Sequence, residues 1–283
     1  MIGTPLERRA PPETRPFVNR NGLPHGTWYG RVLVAVTTVF IVLPILWLAY
    51  SAFLPREALF SGATVPTGFT LSNFLTLPYN ELVRPLFVSI VASTSVALLQ
   101  LVLSLPAAYS LRSGAPLLAV FLLLLSIPAE LLLIPLYGLL KDIGLLNNPL
   151  SLVLPFIASP FAVFLLYGGL LRMPWAYVEA ARLDGASELT IMRRVIAPLL
   201  TPELTAAGVL GFAAHWNLVL YPRVVMNDAH WWTVQVALTE LLRQKPNEWG
   251  VLGAAAIVTS VPIVLLYLLF ESRVTRTIEG GVK

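Results

Sequence analysis

Glu179-Ala-Ala-Arg-Leu-Asp-Gly-Ala-Ser-Glu188, running on through Arg193 and Arg194 to Pro198 and Pro202, is a polar, charged hinge between long apolar segments. Charged side chains are costly in hydrocarbon, so a hinge of this composition between membrane spans must lie in water. Whether its neighbours are spans therefore decides the fold.

They have the length. Apolar runs occur at Arg31–Phe53, Pro85–Leu111, Leu117–Leu140, Leu150–Leu171, Thr201–Tyr221 (the weakest) and Gly250–Phe270. Each reaches roughly 20 residues, enough for a helix to cross a hydrocarbon core of about 30 Å. Composition agrees: 57% of the 283 residues are hydrophobic and 12% are charged, against roughly 25% charged in a soluble domain. Only helices satisfy their own backbone in lipid, and the alternation of membrane β-strands is absent. The expectation is an all-α polytopic membrane protein with six transmembrane helices.

Orientation follows from lysine and arginine. With the N-terminus inside, segments 1–31, 112–116, 172–200 and 271–283 are cytoplasmic and hold thirteen of the nineteen basic residues. The outer segments near 54–84, 141–149 and 222–249 hold six. The excess predicts an N-in, C-in topology with the Glu179 hinge in the cytoplasm. Residues 1–30 are polar and proline-rich and lack the apolar core of a cleavable signal, so they are expected to form a cytoplasmic tail. Residues 31–272 form the membrane domain, with the hinge loop at about 172–200, and 273–283 a second cytoplasmic tail.

Pro44, Pro106, Pro128, Pro135, Pro155 and Pro262 lie in or near spans. Proline removes a backbone donor and bends a helix; such bends are either tolerated by the bundle or shape a path through it. Outer segment 54–84 carries Gly62, Pro66, Gly68 and Pro78 and reads as a loop with a short interfacial helix. Outer segment 222–249 carries His230, Trp231, Trp232 and Trp249, either an interfacial aromatic belt or contacts for a docking partner.

The hinge itself predicts an L of two short helices. Pro174 suits a first helical turn, and Trp175 to Leu183 contains good helix formers. Asp184-Gly185 ends that helix, because glycine takes positive φ without steric cost. Ser187 can cap a second helix, with Glu188 placed well against its dipole and Arg193 and Arg194 near its far end. Ala180, Ala181 and Ala186 offer small surfaces to a partner, and Glu179, Arg182, Asp184 and Arg194 offer charges that fix register. A generic amphipathic helix lying at the membrane interface would look similar.

Several motifs, in order, resemble one family. Ala107-Ala-Tyr-Ser-Leu-Arg112 closes the second span; Ile134-Pro-Leu-Tyr-Gly-Leu-Leu140 and Gly144-Leu-Leu-Asn-Asn148 follow. Then come Glu179-Ala-Ala-Arg-Leu-Asp-Gly-Ala186, Pro198-Leu-Leu-Thr-Pro202, Trp216-Asn217 with Pro222, and Glu279-Gly-Gly-Val-Lys283. From about Arg31 onward the chain resembles the carbohydrate-type permeases of ABC importers, the maltose-transporter-like family with the type I permease fold. Two positions depart from the usual pattern: Leu218 follows Trp216-Asn217 where an acid or amide is common, and Ala197 precedes Pro198 where leucine is common.

The resemblance implies a role and partners. The hinge would be the coupling loop, with Glu179, Ala180, Ala181, Asp184, Gly185, Ala186, Arg194 and Pro198 at the ATPase contact and Gly185 as pivot. Partners would be a second homologous permease, two ATPase subunits and an extracytoplasmic solute-binding protein, in the inner membrane of a prokaryote. ATP and magnesium would be bound by the ATPases; this chain lacks the G-x-x-x-x-G-K-[ST] phosphate loop that such chemistry needs. No cofactor, metal site or nucleic-acid partner is expected in the chain.

For the solute path, Glu130 is the one acid deep in an apolar run and is a functional or a structural candidate. Trp216, Asn217 and Tyr221 are candidates beside it, and packing between helices explains them equally well. His215 could be a packed neighbour. The scarcity of basic residues inside spans favours sugars over phosphorylated solutes, although a glycerol-phosphate or polyol permease is the alternative. An ion-coupled secondary transporter would show internal repeats and helices interrupted about a midplane ion site, and the sequence shows neither.

Overall fold

Prolines, serines and asparagines punctuate the apolar runs, and the helices break where they fall. The computed structural model describes residues 28–55 and 68–280, which are helices and connecting turns with no strand among them. The expectations for the tail before Trp28, for the loop around Gly62 and Pro66, and for the last three residues lie outside the described residues. The chain divides into two units, residues 1–48 and 49–283.

The first unit holds most of α1 (Trp28–Ser51), a 24-residue helix with Pro44 inside. Leu33, Phe40, Ile45 and Leu46 are exposed, and none of its span-length window is buried. A helix so apolar and so unburied suits lipid as its solvent.

The second unit is built along α3 (Tyr79–Arg112), which follows the short α2 (Ser72–Leu75). At 1.5 Å per residue its 34 residues reach about 51 Å, more than the hydrocarbon core requires. The run Pro85–Leu111 is thus found as a span with an added outer turn. Two other helices, α7 (Pro160–Arg172) and α11 (Thr201–Trp216), pack along α3.

Three expected spans are interrupted. The run Leu117–Leu140 is not one straight helix: α4 (Leu118–Leu125) and the stretch Ala129–Asp142, which includes α5 (Leu133–Asp142), meet at 91°. Pro128 has no N–H to continue the ladder and biases Ile127 away from helix; Ser126 Oγ folds back on the Leu122 carbonyl at 3.2 Å. The run Leu150–Leu171 is a 24-residue span from Pro149 to Arg172 made of α6 (Pro149–Val153), a 3-10 turn and α7. Asn148 Oδ1 accepts from Leu150 N–H at 2.9 Å and Ser159 Oγ from Ala162 N–H at 3.1 Å, so each helix starts with its own cap. The run Thr201–Tyr221 stops at Trp216. Asn217 caps it by donating its side-chain amide to the Ala213 carbonyl at 2.8 Å, and α12 (Leu220–Val225) follows as a separate helix.

Segment 222–249, between the fifth and sixth apolar runs, contains α13 (Val234–Gln244), which buries Val234, Val236, Ala237 and Leu241. The last helix, α14 (Trp249–Gly280), runs beyond the expected Phe270. By length and composition the described chain has four spanning helices, or six if the two bent pairs, the Leu118–Asp142 pair and Glu188–Leu199 with Thr201–Trp216, each count as one.

Two buried clusters separate the ends of this unit. One joins Val88, Leu140, Leu152, Tyr221, Val225 and Met226. The other joins Tyr109 and Leu111 at the end of α3 to Leu166 and Leu170 of α7 and to Val178, Ile191, Ile196 and Leu200 of the hinge. The hinge is thus fastened to the membrane helices by its own apolar side chains.

Candidate coupling site

The hinge begins where α7 ends. Its two limbs are α8 (Ala176–Leu183) and the stretch Glu188–Leu199, made of α9 (Glu188–Ile191), one π-helical turn over Met192–Ile196 and α10 (Ala197–Leu199). Asp184 ends α8, and Gly185 between the limbs has φ +77° with open space around it. Ser187 caps the second limb by accepting from Thr190 N–H at 3.4 Å. The L is therefore present with its corner at Gly185. A second corner, outside the expectation, lies at Leu200, where Glu188–Leu199 meets α11 at 86°.

The base of the loop is pinched. Arg172 at its start bonds Glu203 just past its end, Nη2 to Oε1 at 2.8 Å. A Cβ on Gly169 would meet Glu203 Cγ at 2.8 Å and Leu200 Cδ2 at 3.0 Å, so glycine permits this approach. The inner face is apolar: Val178, Ile191 and Ile196 are fully buried, and Ala181 and Ala186 pack against their cluster. Those two alanines were expected at a partner surface; in this chain they serve the fold.

The outer face holds the remaining candidates. Glu179, Ala180, Asp184, Gly185, Arg194 and Pro198 are all exposed. Among them stand three large side chains that the charge pattern did not single out: Tyr177 at 54%, Leu183 at 89% and Leu189 at 59% exposure. Exposed apolar groups among both signs of charge are the composition that suits a protein-docking surface. The signal was available in the sequence: Leu183 stands four residues after Glu179 and so shares its helical face.

Arg182, expected to offer its charge to a partner, is exposed and bonds Glu188 and Tyr109 of its own chain. Its Nε donates to Glu188 Oε1 at 3.1 Å, and its Nη2 donates to Tyr109 Oη at 2.9 Å. The Tyr109 hydroxyl in turn donates to Glu188 Oε2. These bonds, first Tyr109 and then Arg182, hold the Glu188 carboxyl below the usual carboxylate range. Glu188 holds the Arg182 guanidinium above its ordinary value. Beside them the Arg112 guanidinium lies 4.8 Å from the Trp175 ring centroid, and the Tyr109 and Trp175 rings are 5.8 Å apart.

The four solute-path candidates separate. Glu130 is exposed in the 3-10 turn Ala129–Leu132, inside the bend of the third run, and Asn217 is exposed at the end of α11. Trp216 is 2% exposed and stacks on Phe212, with ring centroids 5.5 Å apart. Tyr221 is buried and donates its hydroxyl to the Ser151 carbonyl at 2.6 Å. In this arrangement both are packing groups, Trp216 in a cluster with Ala97 and Val234 and Tyr221 in one with Leu140 and Leu152. His215, beside them, is buried between Ser93 Oγ (2.9 Å from Nδ1) and the Leu152 carbonyl (2.8 Å from Nε2).

At the opposite end, Glu240 is buried and accepts from Arg243, Gln244 and Arg223. Arg243 first, then Gln244 and Arg223, hold its carboxyl down to about 2. Two of the segment's three tryptophans join this polar cluster: Trp232 lies under Arg223 at 5.1 Å and Trp231 under Arg84 at 5.9 Å. A cleft of about 440 Å³ beside it is lined by Glu81, Arg84, Asp228, His230, Trp232 and Glu240.

Comparison with known proteins gives a consistent picture. Residues 100–279 match the family described as binding-protein-dependent transport system inner membrane component. An arabinooligosaccharides transport system permease of Halalkalibacterium halodurans is 30% identical over 282 residues, covering 94% of this chain and all of the relative. A diacetylchitobiose uptake system permease of Streptomyces coelicolor is 28% identical, covering 89% and 87%. An sn-glycerol-3-phosphate transport system permease of Brucella abortus is 27% identical, covering 76% and 75%. Among solved structures, a bacterial ABC transporter involved in import of the acidic polysaccharide alginate matches with a TM-score of 0.77 at 20% identity, over 91% of this chain and 99% of that one; this likeness supports the fold.

Proposed function

This chain belongs to the family of binding-protein-dependent transport system inner membrane components, and we propose that it is the permease subunit of an importer for neutral oligosaccharides or related sugars. The observation that carries the coupling half of this reading is the hinge. Its inner face is welded to the spans, while its outer face offers Glu179, Asp184, Arg194 and Leu183 to a partner. A surface so built can receive a push from outside the membrane and pass it to α3, α7 and α11. ATP and magnesium belong to that partner, since the chain carries no phosphate loop. A second homologous permease and two ATPase subunits complete the proposed assembly, which faces its hinge to the cytoplasm.

The solute class rests on two observations. Relatives named for arabinooligosaccharides and diacetylchitobiose match most of the chain. The apolar runs also hold almost no arginine or lysine away from their ends, and a phosphorylated solute would call for such cations. Glu130 and Asn217, the exposed pair, are the proposed solute contacts. The test is ATP hydrolysis by proteoliposomes holding this chain with its co-encoded permease and ATPase, challenged with the co-encoded binding protein. Arabinotriose, diacetylchitobiose, trehalose and sn-glycerol 3-phosphate would be compared. Stimulation by one of the neutral sugars is expected; stimulation by sn-glycerol 3-phosphate alone would overturn the sugar reading.

A further inference from the structure

We infer that Tyr109, Arg182 and Glu188 form a latch that locks the corner of the hinge and joins both its limbs to the end of α3, so that a push on the loop moves α3 with it. The inference rests on reading the hinge as the coupling loop, but it concerns a different property, the stiffness of the corner.

The geometry is specific. Gly185 has positive φ and nothing within 4 Å of its Cβ position, so the corner itself offers no packing that would hold its angle. Arg182 closes the first limb and Glu188 opens the second, and they bond across the corner, Nε to Oε1 at 3.1 Å. A bond between the limbs alone would leave their hold on α3 to the apolar cluster, which is non-directional. Tyr109 adds a directional tie. Its ring is 7% exposed and packed in the cluster that holds Val178 and Ile191. Its hydroxyl accepts from Arg182 at 2.9 Å and donates to Glu188. One hydroxyl thus meets a cation from one limb and an anion from the other, and a phenyl ring in its place supplies neither bond. Arg182 and Glu188 remain 42% and 56% exposed at the side chain. Their ion pair without Tyr109 would be a screened surface pair of little worth, so the buried tyrosine makes the arrangement rigid. Trp175, at the foot of the first limb, is gripped in turn by Tyr109 and Arg112 of α3.

These are positioning residues, and their test reads position. The sequence has no cysteine, so spin labels at Ser113→Cys, past the end of α3, and Leu189→Cys, on the second limb, are unique. Both sites are exposed. In the purified full-length chain the latch predicts one narrow distance distribution. Tyr109→Phe, which keeps the ring, removes both charge-assisted hydrogen bonds of the hydroxyl and is expected to raise the unlatched population at least about tenfold, the factor carried by one such bond. Arg182→Glu and Glu188→Arg should each broaden the distribution, and the double swap should narrow it again. A Tyr109→Phe distribution as narrow as wild type would overturn the latch, as would a double swap no narrower than the single variants. The coupling reading fails by another result: Glu179→Arg that still co-purifies its ATPase at wild-type yield. The label distances need no ATPase, so the two outcomes stay distinct.

Discussion

At the scale of single residues, Gly185 and Glu240 carry the clearest tests. Gly185 sits at φ +77° in open space, so a substitution there is penalised by backbone conformation and not by a clash. Asparagine enters the left-handed region readily and β-branched residues do not. Gly185→Asn should therefore keep solute-stimulated ATP hydrolysis near wild type. Gly185→Val, at a conformational cost of about 1–3 kcal/mol, should uncouple hydrolysis from transport while the chain still inserts. Glu240 concerns the opposite end. Its folded pKa is depressed to about 2 by Arg243, Gln244 and Arg223, below an unfolded value near 4.3. Its contribution to stability is therefore complete above roughly pH 4.5 and declines as pH falls toward 2. In Glu240→Gln, thermal unfolding in detergent should lose that part of its acid dependence. An unchanged slope between pH 5 and 3 would contradict the assignment. Gly185 and its neighbours were legible from the sequence, since turn and cap preferences are local. The bond from Arg182 to Tyr109 was not, because Tyr109 lies 73 positions away.

At the scale of elements, the hinge works because its base is narrow. Gly169 lets α7 approach Glu203 and Leu200, and the Arg172–Glu203 bond at 2.8 Å closes the loop. Gly169→Ala would place a methyl 2.8 Å from Glu203 Cγ, displace that side chain and free the base. A loss of about 1–3 kcal/mol is expected for overpacking of this kind, visible as a lower midpoint of thermal unfolding, with the Arg172→Ala variant affected less. The apolar runs predicted where membrane helices would be found; of the six expected, four are span-length helices and two are bent pairs. The runs did not predict the 91° and 86° corners, although Pro128 and Pro202 mark both. A proline reports that a helix can break; the size of the bend depends on what packs on each side. The same distinction covers Trp216 and Tyr221, whose residue types suit a sugar site. Both are packed into buried clusters instead, while Glu130 and Asn217 are exposed.

At the scale of the whole molecule, the distribution of basic residues predicts the hinge in the cytoplasm and α13 outside. Within the second unit, the hinge packs on the end of α3 at Tyr109, while α13 meets its beginning, where Val234 N–H bonds Ser89 Oγ at 2.8 Å. These two ends should therefore label from opposite sides of the membrane. In intact cells a membrane-impermeant maleimide should modify Lys245→Cys and spare Leu183→Cys, with the order reversed in inside-out vesicles; the opposite result would invert the topology. Hydrophobicity, charge placement and backbone preferences act along the chain, so the residues in order were enough for an all-helical membrane protein, its polar hinge and a family resemblance. Which side chains face a partner and which hold the hinge to its spans depends on contacts between residues 70 to 80 positions apart, such as Tyr109 with Arg182 and Glu188. Such pairs meet only after the helices have packed, so no local pattern announces them.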